Sequence, residues 1–395
     1  MIPLGIPAMG IVAPIGTGKA AVAEALFSGK RGLSQRDDLA IGRSVFVGAV
    51  TAPLPAVPDD LAAFDCRNNR LLLLALAEIR EAVDAAADRL GRDRIAVILG
   101  TSTAGIAEGE MAYAALKRTG AWPAAFGYRQ QETGNLAEFA ARALGLTGPA
   151  YTIATACSST GKVFGTARRL IKAGVCDAAV VGGADTLAQM TVNGFAVLEA
   201  LSPGLCNPFS LNRDGINIGE AAAVFLLTRD AAEVQLLGVG ESSDAYHMNA
   251  PDPDGSGAYA AMAAALQDAE VAPAEIDYVN LHGTATRLND EMEGKAMVKL
   301  FGSATPCSAT KAMTGHTLGA AGACEAAFLW LTLHPDHNPG LLPPHLWDGV
   351  RDPAIPPLDL VELGRKLPET RALRMLSSSF AFGGSNVAVI LGRAA

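Results

Sequence analysis

Three residues capable of nucleophilic chemistry, Cys157, His282 and His316, sit at similar Gly- and Thr-rich junctions. Cys157 follows the apolar run Tyr151–Ala154 and precedes Ser158-Ser159-Thr160-Gly161, the expected first turn of a small-residue helix. A thiol at a helix N-terminus gains thiolate character, and the same N–H groups can receive a developing oxyanion. Taken alone, a buried structural cysteine is the commoner fate. His282 opens His282-Gly283-Thr284-Ala285-Thr286 after the run Ile276–Leu281, with Asp290 close behind. His316 lies between Lys311 and the small-residue stretch Gly319-Ala320-Ala321-Gly322. One thiol and two imidazoles, each where a strand or loop hands over to a helix, read together as a nucleophilic site. A fourth segment, Ser377 to Asn386, holds Phe380, Phe382 and the pair Gly383-Gly384. It reads either as a hairpin connection or as a hinged aromatic gate beside the nucleophile.

Two other motifs carry less. Gly16-Thr17-Gly18-Lys19 looks like a phosphate loop, but Ala13 and Ala20 stand where a Walker motif needs Gly and Ser or Thr. It reads as a turn closing a strand, with Lys19 starting a helix. His334-Pro335-Asp336-His337 has metal-ligand types, yet its Pro-rich surroundings read as a solvated loop, as does Asp336–Asp352.

The elements that must position these residues alternate. Expected strands are Ser44–Val50, Arg94–Leu99, Tyr151–Ala154, Ala178–Val181, Ala223–Leu227, Val234–Gly240, Ile276–Leu281, Leu373–Ser378 and Val387–Leu391, preceded by a buried strand in Met1–Gly16. Several are apolar without alternation, as in strands covered on both faces. Expected helices are Arg70–Arg89, Asn135–Ala143, Ser159–Ala173, Gly257–Ala269, Asp290–Phe301 and Ala320–Leu333, so the class is layered α/β. A weak internal echo links Tyr151–Gly183 to the segment from Pro306 through Leu333 to Leu373.

The chain has 395 residues, half of them apolar and 18% charged, which excludes a disordered chain. Its formal net charge of −9 leaves no sequence-wide basic footprint for nucleic acid. Six scattered cysteines without a CxxC pair read as reduced thiols of a cytoplasmic protein. The longest apolar helical stretch, Leu71–Ile79, is too short to span a bilayer, and the N-terminus lacks the basic region of a signal peptide.

Five ordered motifs go further: Ala156-Cys157-Ser158-Ser159; Asn212-Arg213-Asp214-Gly215 with Gly219-Glu220; His282 to Thr286; Lys311 with Gly315-His316; and Phe382-Gly383-Gly384-Ser385-Asn386. Together they resemble the β-ketoacyl-acyl carrier protein synthases of the two-histidine class, over essentially the whole chain. The resemblance implies a thiolase-like fold of five α-β-α-β-α layers, built from duplicated halves at 1–230 and 231–395. It also implies a decarboxylative Claisen condensation between a Cys-bound acyl group and malonyl-acyl carrier protein. On that resemblance Cys157 accepts the acyl group, and His282 and His316 serve decarboxylation and condensation. Lys311, Glu325, Asp290 and Glu293 support the histidines. Thr284 and Thr286, with Phe380, Phe382, Gly383 and Gly384, line the phosphopantetheine channel and its gate, and the N–H groups of Cys157 and Phe382 form the oxyanion hole. No cofactor or catalytic metal is implied, because substrates ride on the carrier's phosphopantetheine; room remains for a structural monovalent cation near Asn280 and Glu325. The implied partners are an acyl carrier protein and a second subunit, either a copy of the chain or a paralogous synthase. No nucleic acid or membrane partner is implied.

Several positions depart from the common pattern: Ala285 for Ser, Ala for the second Gly in Gly219-Glu220-Ala221-Ala222, Ala381 for Gly and Ser385 for Thr. The stretch Gly100–Glu108, at the bottom of the acyl pocket, looks closer to synthases of specialised pathways such as aryl-polyene clusters. A thiolase is disfavoured by Phe382-Gly383-Gly384 where its second cysteine belongs, and a single-histidine initiating synthase by His316. A non-catalytic partner or scaffold subunit is the alternative, with Cys157 arguing against it. Because the chain and its carrier are both acidic, docking calls for a local basic cluster, first sought at Arg67 and Arg70 with Lys117 and Arg118 behind them.

Overall fold

The apolar runs become neighbours in one long sheet in a computed structural model, which describes residues 3–368 and 372–394. In the first half the strands are Leu4–Ala13, Ile95–Gly100, Ala150–Ile153, Ala178–Asp185 and Ala221–Thr228. The second half supplies Gln235–Ser243, Tyr278–Asn280, Pro306–Ser308, Leu373–Phe380 and Ser385–Arg393. Numbered within its half, each set lies in the order third, second, fourth, fifth, first. The orientations agree as well: the third, second and fourth strands are parallel, and the fifth is antiparallel to its neighbours. The halves meet where the two first strands pair antiparallel, Leu4 with Leu236 and Gly5 with Gln235. The internal echo is therefore a duplication of topology.

Three apolar cores explain the layering. Arg67–Ala77, Arg80–Leu90 and Asn135–Leu144 cover the outer face of the first sheet through Leu72, Val83 and Phe139. Ser256–Ala269 and Arg287–Phe301 cover the outer face of the second through Met262 and Met297. Between the sheets lie Ser159–Lys172 and Ala321–Leu333, whose Phe164 and Phe328 share the central core. Ala321–Leu333 is buried all round, as a helix between two sheets must be. These central helices cross closely at two glycines, since a Cβ on Gly322 would fall 2.7 Å from the Gly161 nitrogen. This is the five-layered thiolase-like arrangement.

The expected helix Arg70–Arg89 is two helices, parted at Glu78-Ile79. The Glu78 carboxylate accepts bonds from Ile11 N (3.0 Å), Lys19 N (3.1 Å) and Lys19 Nζ (3.0 Å), tying the first strand to this junction. Lys19 is thereby held by protein groups, in keeping with a turn rather than a phosphate loop. Helices Ile106–Thr119 and Gln189–Val197 were not expected, and each buries a single side chain, Ala112 and Val192. A helix with so small a buried face has little apolar periodicity to read. Asp336–Asp352 has no regular structure but is not simply a surface loop. Leu342–His345 is buried, and His345 accepts from Ala309 N at 3.1 Å while facing Pro208 O at 3.0 Å. His334 and His337 stack on Trp330 and on each other.

Candidate active site

Each half brings its part to the same end of the layered sheets. Strand Ala150–Ile153 hands over to helix Ser159–Lys172 through Ala156, whose φ of 51° turns the chain sharply at Cys157. Ser159 stabilises that turn by donating to Ala156 O at 2.6 Å and accepting from Thr155 N at 2.9 Å. From the second half, the turn after Tyr278–Asn280 carries His282, and the segment after Lys311–Thr314 carries His316. His316 Nε2 lies 3.1 Å from Cys157 Sγ, and the two imidazole rings stand nearly perpendicular at 5.4 Å.

The supporting carboxylates hold backbone. Glu293 accepts from His282 N at 2.6 Å, Gly283 N at 2.7 Å and Ser378 Oγ at 3.1 Å. Asp290 accepts from Phe209 N at 2.8 Å and Ala285 N at 3.2 Å, steadying a turn in which Gly283 and Ala285 both have positive φ. A Cβ on Gly283 would lie 2.3 Å from that of Ala309, so glycine is required there. Lys311 Nζ donates to Glu325, to His282 O at 2.5 Å and toward His282 Nδ1 at 3.3 Å. With Nδ1 accepting from the ammonium, the His282 proton belongs on Nε2.

Burial dominates the electrostatics. Both imidazoles titrate well below the usual histidine value because burial disfavours the cation, and the Lys311 charge adds to this. Burial also pushes Cys157 up to about 11, against the lowering effects of Lys311 and of the Phe382 and Cys157 N–H groups, with Asp185 raising it. The thiolate expected from the helix N-terminus alone is thus overruled by desolvation, and the resting pair is a thiol beside a neutral imidazole. Glu293 and Glu325 are both pushed to about 7, and Asp290 to about 6, chiefly by burial.

A cavity of about 470 Å³ unites the reactive residues: Cys157, His282, His316, Thr284, Thr286, Phe380 and Phe382 all line it. Lys311, Glu325, Asp290 and Glu293 lie behind this lining. Phe380 packs edge-on against His282 at 5.9 Å, and Phe382 tilts against Phe195 at 5.8 Å. The hairpin reading holds, with Phe382, Gly383 and Gly384 in the turn between two buried strands; Phe382 lines the cavity, the glycines are outside the lining, and Gly383 N donates to Met248 O at 2.9 Å. Thr284 and Thr286 share a hydroxyl contact at 3.0 Å.

These contacts bear on the family. The chain matches the β-ketoacyl synthase N-terminal domain over residues 3–232 and the β-ketoacyl synthase C-terminal domain over residues 232–346. The chain belongs to the β-ketoacyl synthase family. It is 30% identical to a 3-oxoacyl-acyl-carrier-protein synthase 2 of Coxiella burnetii over 98% of both chains. A solved ketosynthase (ApeO) in complex with its chain length factor (ApeC) from Xenorhabdus doucetiae is similar at 46% identity and TM-score 0.93, over 99% of this chain and 98% of that one. The ishigamide ketosynthase/chain length factor is 29% identical at TM-score 0.88, over 100% and 99% of the two chains. The chain is accordingly a condensing acyltransferase, a β-ketoacyl synthase of fatty-acid or polyketide assembly.

Sequence reasoning missed Asp185, a fully buried carboxylate that accepts from Thr101 Oγ1 (2.7 Å), Ser102 N (2.8 Å), Thr103 N (2.7 Å) and, across the two halves, Ala320 N (3.0 Å). Its signal was present: it is the single charge ending the apolar run Ala178–Ala184. The two arginines of the basic cluster expected for docking are both paired within the chain. Arg67 forks onto buried Glu220 at 2.5 and 3.0 Å, and Arg70 onto Asp65 at 2.6 Å. Neither residue lines the cavity, and Lys117 sits over the Tyr113 ring.

Proposed function

We propose that this chain is the catalytic subunit of a carrier-dependent synthase, with Cys157 as nucleophile and His282 and His316 as the enolate-stabilising pair. The observation that carries this is the cavity in which the Cys157 thiol and both neutral imidazoles converge. The Cys157 sulfur attacks a carrier thioester as its S–H proton moves to His316 Nε2; the tetrahedral oxyanion then collapses, breaking the carrier C–S bond, and His316 returns the proton to the departing carrier thiolate. The Phe382 and Cys157 N–H groups, which favour negative charge on the sulfur, are suited to that oxyanion. Malonyl on a second carrier then loses carbon dioxide. The thioester enolate oxygen accepts from His282 Nε2–H and from His316, and its carbon displaces Cys157 as the β-ketoacyl product forms. His316 Nδ1 is buried without a partner among the described residues, which leaves the imidazole free to carry its proton on the nitrogen each step requires.

Lys311 and Glu325 hold the His282 tautomer in this reading. The buried oxygens Asn280 Oδ1 and Glu325 Oε2 have no partner and suit a monovalent cation, which would steady the Glu325 charge. Thr284 and Thr286 hydroxyls serve the pantetheine amides, and substrates arrive on an acyl carrier protein in the cytoplasm. For the second subunit, the similarity to a ketosynthase complexed with its chain length factor favours a paralogous, non-catalytic synthase over a copy of this chain. Co-expression with such a paralogue, followed by native mass spectrometry and assay with acyl- and malonyl-carrier, tests the reading. A 1:1 heterodimer releasing carbon dioxide and β-ketoacyl-carrier is expected; a homodimer of equal activity would overturn the subunit assignment.

A further inference from the structure

The channel reading leaves unassigned the anion that tethers the arm: the phosphopantetheine phosphodiester at the cavity mouth. The chain from His282 to Arg287 runs along the cavity wall, from buried His282 and Thr284 through half-buried Thr286 to exposed Arg287. Most charges at this mouth repel an anion, since Glu199, Asp214 and Asp244 line it too. Arg213 is buried and committed to Asp352, to Glu291 at 3.0 Å and to Ser210 O at 2.7 Å. Arg287 is different: it forms no ion pair among the described residues, and Asp352 senses it only through space.

Two further observations place an anion beside it. Arg287 begins the helix that runs to Phe301, and no side chain caps that end, because Thr286 Oγ1 faces Thr284 instead. The first-turn N–H groups lack intrahelical acceptors, and such groups bind phosphates. Arg213 also reaches this end: its Nη2 donates to Arg287 O at 3.3 Å, while its buried Nε has no partner. An uncapped helix end and a guanidinium with no ion pair among the described residues thus meet on one wall, with the buried Arg213 guanidinium braced against the Arg287 carbonyl.

We infer that Arg287 grips the phosphate of the phosphopantetheine arm at the cavity mouth and thereby registers the malonyl thioester on His282 and His316. This rests on the carrier-dependent reading above. Guanidinium suits the role because it bonds phosphate oxygens in a fork.

The test compares malonyl-phosphopantetheine with malonyl-pantetheine, which differ only in the phosphate, by carbon dioxide release from the intact enzyme. Wild type should show the lower KM with the phosphorylated probe. Arg287→Ala should raise that KM about tenfold and leave malonyl-pantetheine unchanged, with kcat little altered; Arg287→Lys should recover part of the loss. A phosphate preference that survives in Arg287→Ala, or equal KM changes for both probes, would overturn the assignment while condensation itself stands. Failure of wild type to decarboxylate malonyl on an acyl carrier protein, as well as both probes, would instead overturn the carrier-dependent reading, and the assignment with it.

Discussion

At the residue scale, the site is governed by what burial does to charge. A Cys157 thiol pushed up to about 11 has little thiolate at neutral pH, and its thiolate fraction grows as pH rises toward that value. Iodoacetamide alkylation of Cys157 should therefore still be accelerating between pH 8 and 9, whereas a plateau at neutral pH would contradict the burial argument. The histidines work in the opposite sense: their folded values lie below the unfolded one, so acid stabilises the unfolded chain and the fold weakens as pH falls through the usual histidine range. His282→Ala should keep acyl loading, since His316 is the imidazole at the sulfur, but lose malonyl decarboxylation by about 100-fold. Loss of both activities together would show that His282 shapes the site rather than serving the enolate. Cys157, His282 and His316 were legible in sequence because their Gly- and Thr-rich junctions are unusual. Asp185 was not, because a lone carboxylate ending a strand looks like any edge residue until its five donors are seen.

At the element scale, the central helix pair sets the distance between the halves that supply sulfur and imidazole. Gly161 and Gly322 allow the crossing, and a side chain at Gly322 would meet the Gly161 backbone. Gly322→Val should cost at least 1–3 kcal/mol by overpacking and separate Cys157 from His316. The expected result is a lower thermal midpoint together with lost acylation; an unchanged midpoint would show that the helices can part freely. The strands were readable because most are continuous apolar runs, and the duplicated order could be suspected from the echo between Tyr151–Gly183 and Pro306–Leu373. Helices Ile106–Thr119 and Gln189–Val197 escaped because they bury almost nothing and so carry no stripe. The break at Glu78 escaped for another reason: its cause is a long-range grip on Ile11 and Lys19, which local pattern does not encode.

At the scale of the whole molecule, two topologically equal halves contribute unequally, one giving the Cys157 thiol and the other both imidazoles, the Lys311–Glu325 pair and the Phe382 turn. With a net charge of −9, docking of an acidic carrier calls for a local basic cluster, and Arg67 and Arg70 pair with Glu220 and Asp65. Charge reversal at Arg70 should accordingly leave the KM for carrier substrates within about twofold, since its charge is already paired at the surface. A tenfold rise would restore it as a docking residue. Among the described residues no helix is long and apolar enough to cross a membrane. The central claim is that one buried thiol accepts the acyl group between two neutral histidines. Intact-mass spectrometry after incubation with a panel of acyl-carrier thioesters tests it most directly. A single acyl adduct located on Cys157, and none on Cys157→Ala, is the predicted result; an adduct that persists in Cys157→Ala would contradict the account.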